Sequence, residues 1–334
     1  MDEKREIGLK AVSSARAERQ RSKHGRITGP VWLAAGGAVV LTVVLAWLFS
    51  DRTLSKAKTE LLAQQRAAVA TVGAEWAPLR DRIEQITTSA AGEYQGDQIA
   101  PEAAKWDFRS LPGIYLRLRV EDAKTPEAIR KNARESLKDA FTGCLLRYDN
   151  PSTAALARGE LDAGTASQDQ PWNLRQAYAS TRVLTDEWAG EVKEAGDKLR
   201  LRVFEQQYEK AKRDEIPLAI DIVKRARFFL LVLDEDVAEA KELGDGGVIT
   251  MEGLQQVPHP SRVHLVDLQT GQELARLRRT GEAEFVMAGE RTVQDPEVRA
   301  ALRRQVNNCA LAQEVWKALR PEARAATETD AGSP

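Results

Sequence analysis

The chain has 334 residues, of which 43% are hydrophobic and 30% charged, and its formal net charge is −1. A balance this close to neutral excludes a chain built as a bulk polycation, so no nucleic-acid partner is expected. The charge is unevenly placed. Residues 1–30 hold eight basic and four acidic side chains, a charge of +4, and the remainder holds 41 basic and 46 acidic, a charge of −5.

The basic head, 1–30, has little apolar content and reads as disordered. Polybasic segments can bind anionic lipid. The density here is modest, and a topology signal is the better reading. Residues 31–50, VWLAAGGAVVLTVVLAWLFS, follow without a single charge. At about 1.5 Å per residue, such a run spans a hydrocarbon core of about 30 Å. Trp32 and Trp47 fall near its two ends, where aromatic rings favour the interface. The apolar core is longer than that of a cleaved signal peptide, and FSDRTLSKAK offers no good small-x-small cleavage motif. The segment therefore reads as an uncleaved signal-anchor. The expected topology is single-pass, with the N-terminus cytoplasmic and residues 51–334 periplasmic or extracellular. A cell inner (cytoplasmic) membrane is the default location.

Residues 51–90 are expected to form a helical stalk. Apolar and polar-seam positions recur at three and four from Leu62 through Gln65, Val69, Val72, Trp76, Leu79, Ile83 and Ile86, the spacing of a coiled coil. That stripe could pair two copies into a homo-oligomer, or pack against the chain's own domain. Pro78 falls inside it and is expected to bend or break the helix. Glycines and prolines recur over 91–113, which reads as a linker.

The exported domain is assigned to 114–320. Ile114–Val120, IYLRLRV, alternates as a half-buried strand. Thr125 and Pro126 open a helix, whose apolar face runs through Ile129, Ala133, Leu137 and Phe141 to a stop at Gly143. Cys144–Tyr148 then reads as a strand. Residues 149–172 look like surface loop, and a long helix is expected from Asn173 to Arg213. Arg227–Leu233, RFFLLVL, reads as a buried strand. Arg262–Leu268 and Glu273–Arg279 flank QTGQ as a hairpin in which Gly271 supplies the positive φ. Phe285–Ala288 could add a strand. A last helix opens at Asp295-Pro296, and a disordered tail follows over 321–334. The expected class is α+β: a transmembrane helix, a helical stalk, and a domain with a small, largely antiparallel sheet covered by helices.

Candidates for chemistry are few. Cys144 and Cys309 are the two cysteines. Both fall on apolar faces in the exported part, where a disulfide is permitted. A bond would close a long loop, and two separate buried thiols are the alternative. No CxxC pair or nearby histidine supports a metal or catalytic thiol. His259 and His264, in PHPSRVH, need not converge, because a strand sends neighbours to opposite faces. No third ligand is marked by spacing, so no metal is expected. Asp234-Glu235-Asp236 lacks the spacing of a calcium loop and reads as a solvated turn or helix start. LGDGGV, 243–248, lacks the Walker lysine and the dinucleotide spacing and reads as a turn. No catalytic motif and no cofactor site is apparent. These features favour a membrane-anchored envelope protein, not an enzyme, whose exported domain binds an unknown protein partner or holds an assembly together. A ligand sensor signalling through the span, with its output in a separate partner, is the first alternative. An anchored enzyme whose site leaves no local motif is the second.

Overall fold

The computed structural model describes residues 40–41, 52–136, 139–148, 171–243, 245–281 and 295–320. The chain divides into two compact units, Met1–Leu61 and Leu62–Pro334. In the first, Val40 and Leu41 are helical and exposed, and 52–61 is helical. The basic head, nearly all of the apolar segment 31–50, the loop 149–170, the candidate strand 285–288 and the tail 321–334 lie outside the described residues. Among the described residues no helix is long and apolar enough to cross a membrane.

A single helical stretch, α1, runs over 52–90. Pro78 does not break it and sits within the regular segment Ala74–Ala90. The irregularity lies one turn earlier, where Val69–Gly73 winds as a π turn. That turn ends just before Ala74, whose carbonyl would have accepted from residue 78 had it carried an N–H. Within the second unit, Gln65, Ala68, Trp76, Ile83 and Thr87 of α1 are buried. Trp76 meets the Tyr178 ring edge-on, with centroids 6.1 Å apart, and the Tyr208 hydroxyl donates to the Gln64 carbonyl at 2.8 Å. Of the stripe read as a coiled-coil seam, Gln65, Trp76 and Ile83 are buried against the chain's own body, Val72, Leu79 and Ile86 are half-buried, and Val69 is exposed.

The body is built on a six-stranded sheet: β1 (Gln98–Ile99), β2 (Gly113–Arg119), β3 (Trp172–Asn173), β4 (Phe228–Asp234), β5 (Pro260–Asp267) and β6 (Glu273–Thr280). The order is β1-β6-β5-β4-β2-β3. β4, β5, β6 and β1 pair antiparallel, whereas β2 pairs parallel with both β3 and β4. The class is α+β as expected, but the sheet is mixed. A parallel β2–β4 pair needs a long crossover. The residues between those strands form α2 (Pro126–Ala133), α3 (Phe141–Tyr148), α4 (Arg175–Thr181), α5 (Asp186–Glu194), α6 (Lys198–Lys210) and α7 (Ile216–Arg225).

Three local expectations are corrected. Cys144–Tyr148 is helical, part of α3, and α2 stops at Ala133 instead of running on to Gly143. The expected helix 173–213 is three helices. Thr185 and Asp197 interrupt it, their side chains accepting from the backbone N–H of Trp188 and Arg200 as N-caps. β2 is not half-buried: Gly113 through Leu118 are all buried, Arg117 included. Other features stand as read. Thr125 caps α2, Gly271 turns the hairpin at φ 75°, and Asp295 caps the final helix. A one-turn helix, α8 (Met251–Leu254), precedes that last helix, α9 (Pro296–Leu319).

The alternation of the strands sorts the core. Tyr115, Leu230, Val232, Val263 and Leu265 face α3 and α9, joining Phe141, Leu145, Leu311 and Val315 in one apolar cluster. The Cys144–Cys309 disulfide ties α3 to α9 with a Cα–Cα separation of 5.1 Å.

Candidate functional site

The most concentrated polar chemistry lies inside the domain. Register places Arg117 of β2 beside Val232 of β4, two residues from Asp234. The Asp234 carboxylate accepts from Arg117 Nε at 2.7 Å and Nη2 at 3.0 Å, and from the Ser261 hydroxyl at 2.7 Å. Arg117 Nη1 donates to Asn308 Oδ1 of α9 at 2.5 Å and lies 3.7 Å from Asp139. Asp139 in turn accepts from the Tyr115 hydroxyl at 2.7 Å. Every one of these side chains is buried. Burial disfavours both charges, but Asp234 and Asp139 outweigh it for Arg117 and hold the guanidinium's pKa above its usual range. Arg117, together with His259, likewise outweighs the burial of Asp234 and holds its carboxyl well below the usual carboxylate range. For Asp139 burial wins over Arg117, and its pKa is raised.

Asp234 is therefore not part of a solvated turn. It is fully buried, while its neighbour Glu235 accepts from Arg262 and Arg278 and Asp236 accepts from Arg119. His259 and His264 do not converge. Nδ1 of His259 donates to the Val257 carbonyl at 2.8 Å, and Nε2 lies 3.2 Å from Asp234. His264 is on the opposite face of the sheet, 2.7 Å from Glu273. Among the described residues no group of three His, Cys, Asp or Glu side chains could hold a metal ion. The buried cluster has room beside it for only about 10 Å³, close to one water. It is a clasp that joins the sheet to α9.

Among the described residues, two cavities of about 520 and 530 Å³ open on the domain, and α1 walls both. The first, of about 520 Å³, lies between α1, α2, α4 and the turn leading to α5. The π turn contributes Val69 and Gly73, and Trp76, Tyr178 and Leu184 line it with apolar surface. Arg80, Arg130, Lys131, Arg134 and Arg182 supply cations against Glu127 and Glu187. Four of these cations are held in place. Arg130 makes a bidentate pair with the buried Glu84 at 2.7–3.1 Å. Arg134 pairs with Glu187 at 3.1 Å, Arg80 with Asp81 at 2.7 Å, and Arg182 with Glu191. Hydrogen bonding to Arg134 lowers the Glu187 pKa. Tyr178 is almost wholly buried, and its hydroxyl has no hydrogen-bond partner among the described residues. Burial, with Glu84 nearby, pushes that hydroxyl's pKa well above its ordinary value.

The second cavity, of about 530 Å³, runs between α1 and the β5–β6 hairpin and is lined by Arg82, Ile86, Tyr94, His264, Glu273 and Arg276, among others. It is more polar than the first. Arg82 donates to the Leu268 carbonyl across one end.

The sequence marked Cys144 and Cys309, and the structure joins them. It did not mark the first cavity, whose lining comes from three distant stretches without a shared motif. No protein-family model, no curated protein and no solved structure matches this chain.

Proposed function

We propose that the chain is a single-pass, membrane-anchored envelope protein. Its N-terminus is cytoplasmic, and its exported α+β domain serves protein interaction or assembly. The anchor is the charge-free run 31–50, and the positive flank before it sets the direction. The observation that carries the placement is the Cys144–Cys309 bond inside the domain, a linkage that persists in oxidising compartments. The buried clasp around Arg117 ties β2, β4 and α9 together, a frame on which an interaction surface can be carried.

Thiol trapping in native membranes tests this reading. Alkylation without prior reduction should leave Cys144 and Cys309 unmodified, and reduction should release both. Two thiols alkylated at once without reductant would contradict it.

One observation favours a second reading, a ligand-sensing exported domain. The cavities of about 520 and 530 Å³ each use α1 as a wall, so a ligand in either would touch the helix that follows the anchor in sequence. A signal would then need a conformational difference between free and bound α1.

A further inference from the structure

We propose that the cavity between α1, α2 and α4 binds a small amphipathic anion: a carboxylate or phosphate head on a compact apolar body. Its volume of about 520 Å³ lies within the range of small-molecule sites, about 300–1,000 Å³. Its chemistry is divided in the way such a ligand requires. Val69, Trp76 and Leu184 offer apolar surface, suited to a flat or branched hydrocarbon body.

The polar side of the cavity is cationic and pre-set. A guanidinium has five N–H donors in a fixed fork. Arg130 spends Nε and Nη2 on Glu84, and Arg80 spends Nε and Nη2 on Asp81, which leaves donors on each. The carboxylates therefore orient these groups without exhausting them. Lys131 differs from the four arginines: it makes no direct hydrogen bond or ion pair among the described residues, and its charge acts on Glu187 and Asp122 only through space. It lines the cavity and is exposed. Because the arginines are already paired, Lys131 is the cation with all its donors open to an anionic head.

Two further features point to an occupant. Tyr178 lines the cavity, and its buried hydroxyl has no partner among the described residues. An orphaned buried hydroxyl is costly, and an anionic oxygen would satisfy it. The wall facing α4 includes the π turn Val69–Gly73, a local widening that occurs often at functional sites.

The test uses the full chain in bilayer nanodiscs, with empty nanodiscs subtracted, and isothermal titration with 1-naphthyl phosphate. The neutral comparator is 1-naphthalenemethanol, the cationic one is 1-naphthylmethylamine, and inorganic phosphate supplies the head alone. One naphthyl phosphate should bind per chain, more tightly than any comparator. Lys131→Glu alters only an exposed side chain and should weaken binding by about fivefold or more. Tyr178→Phe keeps the ring packing and should weaken it by about fivefold. No binding of naphthyl phosphate, equal affinity for the alcohol or for inorganic phosphate, or an affinity unchanged in both variants would overturn the proposal. None of these results bears on the thiol-trapping outcome, so the site and the membrane placement stand or fall separately.

Discussion

Arg117 and Asp234 meet across two adjacent parallel strands, the guanidinium donating to both carboxylate oxygens at 2.7 and 3.0 Å with neither group exposed to solvent. Through Arg117 Nη1 the same pair reaches Asn308 of α9, so one buried cation links β2, β4 and the last helix. Removing one partner of a buried pair leaves an uncompensated charge, at a cost of about 3–5 kcal/mol. Arg117→Met should therefore lower the unfolding free energy by about that amount in a urea titration. Arg117→Met combined with Asp234→Leu should recover part of the loss.

The acid response of this cluster has two opposed parts. Asp234 has its folded pKa depressed from 3.8, so its stabilising contribution is complete above pH 3.8 and is lost as pH falls through the depressed value. Asp139 has its folded pKa raised from 3.8. Its contribution is complete below pH 3.8 and is lost as pH rises through the raised value. Asp139→Asn should abolish that second loss. Urea midpoints measured from pH 4 upward should fall in the parent relative to the variant.

The disulfide joins residues 165 apart in sequence. Closing a loop of that length restricts the unfolded chain, and removing a native disulfide costs about 2–5 kcal/mol. The double variant Cys144→Ser, Cys309→Ser should lose stability in that range while keeping its far-ultraviolet circular dichroism spectrum.

Two glycines test how closely the backbone packs. A Cβ on Gly281 would lie 2.6 Å from the Leu311 nitrogen and 2.7 Å from the Asn307 carbonyl oxygen, both rigid backbone of α9. Gly281→Ala should cost about 1–3 kcal/mol through overpacking. Gly190, inside α5, has nothing within 4 Å of its would-be Cβ. Gly190→Ala should instead stabilise by about 0.5–1 kcal/mol. Thermal melts of the two variants should move in opposite directions.

Much of this fold was legible in the sequence. The hairpin announced itself through alternation and Gly271, and α9 through Asp295-Pro296 and a long apolar face. The cysteine pair was legible because both residues fell on apolar faces. The failures have physical causes. Cys144–Tyr148 is an apolar run too short for periodicity to separate helix from strand. The continuous helix expected over 173–213 hid two caps, Thr185 and Asp197, because the apolar spacing carried through them. Arg117 looked like the solvent side of an alternating strand, since nothing local reveals a carboxylate 117 residues away. The cationic cavity was invisible for a similar reason: it is assembled by tertiary packing of α1, α2 and α4.

Protease accessibility from each face of the membrane tests most directly the proposal that an exported body follows an N-terminal membrane anchor. Protease added to the outer face of intact spheroplasts should cleave residues C-terminal to 51 and leave the basic head protected. In inverted vesicles the body should be resistant. Digestion of the C-terminal body in inverted vesicles, with protection in spheroplasts, would contradict the account.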